Sequence, residues 1–129
     1  MEKLLGIDFG LKKIGVSIAT SKLADPYLVI RYSNIEELIE KIDGICEKEG
    51  IGRVIIGVSE GEMAIATKEF GEKLALSLPV PVDFFDETLS TQDAQRLAMD
   101  AHMKRSKRKE MEDAMAAAVM LQNYLDMPR

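Results

Sequence analysis

Apolar positions in the first quarter of the chain follow the two-residue period of β-strands. Lys3–Phe9 is an almost continuous apolar run, as in a central strand. In Lys12–Thr20, β-branched residues alternate with small ones, and Gly10-Leu11 is a link short enough to join the two strands as an antiparallel hairpin. Pro26–Tyr32 is predicted to form a third strand.

The apolar period then changes to that of a helix. Asn34 and Glu37 have capping-box spacing, which predicts a helix that runs to about Glu49 and ends at Gly50. The predicted buried stripe of this helix is Ile35, Leu38, Ile39, Ile42 and Ile45.

Strands and helices alternate in the rest of the chain. Arg53–Val58 is a β-branched run typical of a buried parallel strand. A helix is predicted from about Glu62 to Leu78, a fifth strand over Val82–Asp86, a helix capped by Ser90, and a last helix over about Arg108–Asp126.

The element order is therefore β-β-β-α-β-α-β-α-α. A three-strand meander followed by two strands linked through helices predicts an α/β fold, with a five-stranded mixed sheet and helices on both faces. The chain of 129 residues has no repeat or linker, so residues 1–129 are expected to form one domain.

The composition indicates the cellular compartment in which the protein is expected. Cys46 is the one cysteine, which excludes an internal disulfide and a cysteine zinc cluster and fits a reducing cytoplasm. The first residues show no signal peptide, and no apolar run approaches the roughly 20 residues that span a membrane. We therefore expect a cytoplasmic protein.

The charge is unevenly distributed. A net charge of −5 disfavours a nucleic-acid partner, yet five of the 17 basic residues lie in one six-residue run. A basic loop beside an acidic pocket would suit a polyanion, although charge runs are more often simply solvated. The nucleic-acid contacts expected in this run are Lys104, Arg105, Lys107 and Arg108.

Asp8 is the first candidate for chemistry. It ends an apolar run in what should be the middle of the sheet, where an ionised carboxylate is costly unless it is paired or binds a metal. The alternative is a turn residue before Gly10. We favour a functional role because Asp8 precedes Phe9 within the predicted strand.

Helical phase separates Asp113 from its neighbour Glu112. Asp113 lies on the face of the apolar stripe of the last helix, whereas Glu112 is on the side of Asn123 and is expected to face water. The alternative is a first-turn aspartate that stabilises the helix dipole. A helix that starts near Arg108 would weaken this alternative by placing Asp113 in its interior.

The end of the fifth strand offers Asp86 and Glu87, and spacing does not choose between them. Acids at strand ends can meet an acid from a helix in a crevice beside the sheet. Oxygen ligands suit Mg²⁺ or Mn²⁺, and two such ions can stabilise both the attacking and the leaving oxygen of phosphoryl transfer. The sequence has no histidine or cysteine cluster that would favour another metal.

Three segments of the chain resemble the YqgF family, also called RuvX, a ribonuclease H-like group related to Holliday junction resolvases. They are Gly6–Ser17, Asp86–Thr91 and Glu112–Leu125, and their order and spacing match over essentially the whole chain.

The resemblance implies a ribonuclease H-like fold with Asp8, Glu87 and Asp113 as catalytic, metal-binding acids. It further implies a nuclease that matures the 5′ end of pre-16S ribosomal RNA or resolves four-way DNA junctions. The expected partner is therefore structured RNA or branched DNA, and the protein would be a monomer or a homodimer. Further contacts to nucleic acid are expected from Lys12, Lys13, Ser90 and Thr91.

Three positions depart from the family pattern. Thr88 replaces the usual arginine, Ala114 replaces a serine, and Ser59–Glu62 replaces a proline-containing loop. Glu60 lies in this loop at a strand end, and our hypothesis is that it joins the metal site. A solvated loop glutamate is an equally good interpretation.

Two other functions compete with a nuclease. The Asp8–Gly15 segment also resembles the phosphate loop of actin-like and sugar kinases, but these clasp ATP between two domains and the chain has length for one. The second competing function is that of a non-catalytic assembly factor with the same fold. Metal-dependent cleavage lost in Asp8→Asn with binding retained would separate an enzyme from a binding protein.

Overall fold

A five-stranded mixed sheet organises the chain in the computed structural model, which describes residues 2–87 and 110–128. The spatial order of the strands is β3-β2-β1-β4-β5. The elements are β1 Leu4–Asp8, β2 Lys13–Ala19, β3 Ala24–Arg31, α1 Ile35–Glu49, β4 Arg53–Val58, α2 Glu62–Ser77, β5 Val82–Asp86 and α3 Glu112–Asp126.

Strand directions follow the predicted meander and crossovers. Strands β1, β2 and β3 pair antiparallel, while β4 pairs parallel to β1 and β5 pairs parallel to β4. The five-stranded mixed sheet is thus confirmed. The carboxyl ends of β1, β4 and β5 consequently lie together at one edge of the sheet.

Helices cover both faces of the sheet, as predicted. Helices α1 and α2 bury Leu38, Ile42 and Leu74 against one face, together with β1 residues such as Leu5 and Ile7. Helix α3 packs on the other face, mainly across β1, β2 and β3. The buried hydrophobic cluster between α3 and the sheet consists of Leu4, Ala19, Ala24, Ile55, Phe85, Met120 and Leu121.

Helix α1 has the predicted ends. The Asn34 side chain accepts a hydrogen bond from the Glu37 backbone N–H at 3.1 Å, which satisfies one of the amides left unpaired at a helix start. Gly50 has φ = 67°, a conformation that glycine adopts without a Cβ penalty.

Strands β1 and β2 are each one residue shorter at both ends than predicted, so Asp8 is the last residue of β1, and the starts of β3 and α3 differ by more. Strand β3 begins at Ala24 rather than Pro26, and the Ala24 backbone N–H donates to the Gln122 side chain of α3 at 2.9 Å. Helix α3 begins at Glu112 rather than near Arg108, with Met111 as its N-cap, so Asp113 lies in the first turn. The helix predicted to start at Ser90 is outside the described residues.

Helix α3 is buried more widely than one apolar stripe predicts. Asn123, expected on the solvent side, is only 6% exposed, and its amide nitrogen has no hydrogen-bond partner.

Within residues 2–87 and 110–128, no helix combines the length and the apolar character needed to cross a membrane.

Candidate active site at the carboxyl edge of the sheet

Asp8 lies between two glycines on the neighbouring strands. It pairs with Gly15 of β2 and with Gly57 of β4, so all three residues present their Cβ positions to the same face of the sheet. This is the face that α3 covers. Two missing side chains therefore leave space on both sides of the Asp8 carboxylate.

Gly15 lets the start of α3 approach the sheet. A Cβ at this position would be 1.8 Å from the Asp113 carbonyl oxygen and 2.8 Å from the Ala114 nitrogen. The first turn of α3 thus rests directly on β2, one strand away from Asp8. The backbone contact places Asp113 on one flank of Asp8.

Gly57 makes room for Glu87 on the other flank. A Cβ at Gly57 would be 2.9 Å from the Glu87 carboxyl carbon and 2.7 Å from Met120 Cγ. The Glu87 carboxyl group therefore lies over β4, next to Asp8. Asp8 thus lies in the row Gly15–Asp8–Gly57, with the backbone of Asp113 over Gly15 and the carboxyl group of Glu87 over Gly57.

Side-chain alternation distinguishes Glu87 from Asp86, which spacing along the sequence did not. Asp86 pairs with Val58 and, with Phe84 two residues earlier, belongs to the sheet face covered by α2. Glu87 follows the last residue of β5 and reaches the opposite face over Gly57. The geometry thus agrees with the choice implied by the family resemblance.

Electrostatics connect Glu87 to Asp8. Burial, followed by the nearby charges of Asp8 and then Asp86, raises the pKa of Glu87 from 4.5 to about 7. A positive charge that joins the site would therefore favour the ionised form of Glu87.

Lys13 approaches the site from the side of Asp113, opposite to Glu87. Its ammonium Nζ lies 2.9 Å from Asp113 Oδ2, and both side chains are partly exposed, at 43% and 33%. Glu112, in contrast, faces water, as its helical phase predicted. Lys12, the second predicted phosphate contact in the hairpin, is exposed.

Aromatic residues hold the hairpin that carries these lysines. Phe9 stacks on Phe70 of α2 with ring centroids 4.5 Å apart. The Tyr32 hydroxyl donates to the Gly10 carbonyl at 2.5 Å, and the Tyr32 backbone N–H donates to the Lys12 carbonyl at 3.1 Å. Sequence reasoning did not find this support, because it joins residues that are far apart in the chain.

Glu60 is exposed and lies beside the other face of the sheet edge. It lines an open cleft with Lys68, Phe84 and Asp86. Its predicted role in the metal site stays a hypothesis. Lys68 and Phe84 were not singled out by the sequence, since an exposed lysine on a helix and an aromatic residue in a strand are each ordinary.

The carboxylates do not form a complete cation cage in the described part of the chain. No group of three or more histidine, cysteine, aspartate or glutamate side chains there is arranged to hold a metal ion. Asp113 pairs with Lys13, while Asp8 and Glu87 interact with each other. The predicted contacts at Ser90, Thr91, Lys104, Arg105, Lys107 and Arg108 lie outside the described residues.

The fold is that of the RuvC-type resolvases, a class of ribonuclease H-like domain. The chain superposes on Thermus thermophilus RuvC in complex with a Holliday junction substrate with a TM-score of 0.67, 15% identity and 96% and 94% coverage of the two chains. The fowlpox virus Holliday junction resolvase gives a TM-score of 0.58, with 12% identity and 96% and 98% coverage.

Sequence comparison gives the family. The model for RuvX, described as Holliday junction resolvase, matches residues 2–127, and the chain belongs to this family. A protein of Caldanaerobacter subterraneus subsp. tengcongensis named "Putative pre-16S rRNA nuclease" is 37% identical over 133 residues, 96% of each chain. One with the same name from Oceanobacillus iheyensis is 35% identical, over 96% of this chain and 98% of its own.

Proposed function

We propose that this protein is a divalent-metal-dependent nuclease that hydrolyses phosphodiester bonds of nucleic acids. Its active site would be formed by Asp8, Glu87 and Asp113. The observation that carries the proposal is the placement of Asp8 between the other two acids, with glycines on both neighbouring strands. The family match over residues 2–127 supports a nuclease.

The donor set fits a hard divalent cation. Carboxylate oxygens are the ligands that Mg²⁺ and Mn²⁺ prefer. The raised pKa of Glu87 reflects burial first and then the negative charges of Asp8 and Asp86, and a cation would offset these charges. Asp8, Glu87 and Asp113 would hold the metal, and two ions are proposed because phosphoryl transfer involves both an attacking and a leaving oxygen.

When bound, the metal supplies an activated water and polarises the scissile phosphate. The protein's own residues position the substrate and the ligands. The stacked Phe9 and the bond from Tyr32 to Gly10 keep the hairpin beside Asp8, so that Lys12 and Lys13 can bind phosphate oxygens. The first turn of α3 holds Asp113 against β2.

The proposed substrate is a precursor of 16S ribosomal RNA, as in the names of the relatives. A four-way DNA junction is a second candidate, because the family description and the fold neighbours are junction resolvases. Cleavage of such a junction would call for a symmetric dimer. Ser90, Thr91 and the basic run Lys104–Lys109 are proposed to contact either substrate.

A cleavage assay tests the proposal. Wild-type protein would be incubated with Mg²⁺ or Mn²⁺ and either a ribosomal RNA precursor or a four-way junction, alongside Asp8→Asn and Asp25→Asn. Asp25 is a matched control because it is exposed on the outer strand β3. We expect Asp8→Asn alone to abolish cleavage while substrate binding remains. Equal cleavage by wild type and Asp8→Asn would refute the proposed site.

A further inference from the structure

A second concave surface lies at the same edge of the sheet, on the face opposite the catalytic acids. This cleft of about 320 Å³ lies at the carboxyl ends of β4 and β5, where α2 begins. Open α/β sheets bind ligands at such strand ends. Its lining is Val58, Ser59, Glu60, Ala64, Lys68, Phe84 and Asp86.

Phe84 provides an accessible aromatic wall. Its side chain is 41% exposed, whereas Phe85, the next residue, is buried under α3. Gly71 of α2 fixes one edge of the Phe84 ring, since a Cβ at Gly71 would be 2.4 Å from two ring carbons. The ring therefore packs on α2 at one edge and keeps much of its surface exposed.

The charges around the ring are mixed. Lys68 contributes an ammonium group from α2, and among the described residues no carboxylate oxygen lies within ion-pair distance of it. Glu60 and Asp86 contribute carboxylates. A polyanion alone would be repelled by these two acids, and an apolar ligand would make no use of the charges of Lys68 and Glu60.

We propose that this cleft binds one unpaired nucleobase of the substrate strand. The base stacks on Phe84, and its amino or imino N–H groups donate hydrogen bonds to Glu60 or Asp86. The phosphate of the same nucleotide forms an ion pair with Lys68. Aromatic rings stack on every base, and carboxylates accept hydrogen bonds from base amino groups. A nucleotide is therefore the ligand class that uses all the groups in this cleft.

The position of the cleft relates it to cleavage. Asp86 lines the cleft, and the next residue, Glu87, reaches over Gly57 to Asp8 on the other face. A strand that crosses this edge can place one phosphate at the acids and a neighbouring base on Phe84. This assignment to the substrate strand rests on the proposed nuclease function, whereas binding of a base can be measured without it.

Fluorescence gives a direct binding test. The chain contains no tryptophan, so Phe84→Trp introduces a single indole in the cleft. Titration with a short single-stranded oligoribonucleotide in EDTA, which prevents metal-dependent cleavage, should quench this fluorescence. An oligonucleotide of the same length that consists of abasic sites should not, because stacking requires the base.

Paired variants locate the other contacts. Lys68→Met should weaken binding of the oligoribonucleotide, whereas Lys73→Met, on the same helix but outside the cleft, should not. Glu60→Gln should change the preference among the four homopolymers, with Glu62→Gln as its control. Phe84→Leu should weaken binding by up to roughly 5- to 160-fold, the range of stacking losses on alanine substitution.

The outcomes distinguish this inference from the proposed function. Quenching that depends on bases and is lost in Lys68→Met supports the nucleobase site, even if no cleavage is found. Cleavage by wild type with equal oligoribonucleotide binding by wild type, Phe84→Leu and Lys68→Met would overturn it. If Phe84→Trp does not fold, the binding comparison of Lys68→Met with Lys73→Met decides the question.

Discussion

Lys13 Nζ lies 2.9 Å from Asp113 Oδ2 and joins the start of β2 to the first turn of α3. The pair brings a positive charge to an acid that is proposed to bind a metal. A divalent cation at Asp113 would therefore have to replace an existing ion pair.

Removal of this ammonium group should strengthen metal binding. We expect Lys13→Met to bind Mn²⁺ roughly 1.5- to 5-fold more tightly, because an exposed ion pair is worth about 0.2–1 kcal/mol. Isothermal titration calorimetry measures the affinity, and Lys12→Met is the matched control. Weaker Mn²⁺ binding by Lys13→Met would instead mean that Lys13 orients Asp113 for the metal.

Gly15→Ala should destabilise the fold and separate Asp113 from Asp8. Its Cβ would overlap the Asp113 carbonyl oxygen, a backbone atom that can move only with α3. We expect a loss of about 3 kcal/mol or more in unfolding free energy, the upper range for overpacked sites. Urea denaturation measures the loss.

Gly44→Ala is the control for this substitution. Gly44 lies within α1, and a Cβ there meets nothing within 4 Å. Alanine should stabilise the helix by about 0.5–1 kcal/mol. Equal stability of the Gly15 and Gly44 variants would contradict the close approach of α3 to β2.

The raised pKa of Glu87 predicts opposite pH trends for metal binding and metal-free stability. Folded Glu87 keeps its proton up to a pKa of about 7, whereas the ordinary value is 4.5. Between these values the folded state holds more protons than the unfolded state, so the unfolding free energy should fall as pH rises and level off above about 7.

Mn²⁺ affinity should rise over the same interval, because the metal competes with the proton on Glu87. Glu87→Gln cannot ionise, so its metal-free stability should lose this pH dependence. Urea titrations and calorimetry across the interval provide both measurements. The same pH dependence of stability in wild type and Glu87→Gln would argue against a buried, protonated Glu87.

Tyr32→Phe should loosen the hairpin while the sheet remains intact. The substitution removes the hydroxyl that donates to Gly10 and retains the ring beside Phe9. We expect a loss of about 0.5–1.5 kcal/mol in stability and weaker substrate binding by Lys12 and Lys13. A raised KM with unchanged kcat would support this positioning role, and an unchanged KM would contradict it.

Much of the fold follows from local patterns in the sequence. Periods of two and of about 3.6 residues reflect which side chains meet the core, so they located all five strands and the helices α1, α2 and α3. The Asn34 cap and Gly50 were also predictable, because a helix end is satisfied by residues within a few positions of it. Helical phase similarly separated Asp113 from Glu112.

Only the tertiary structure decided relations between residues distant in the chain. The start of β3 depends on Gln122, Asp113 pairs with Lys13, and the glycines at 15 and 57 make room for groups that follow much later. Alternation at the end of β5 sends Asp86 and Glu87 to opposite faces. Periodicity along one strand cannot assign these contacts, because they depend on sheet register and on the approach of α3.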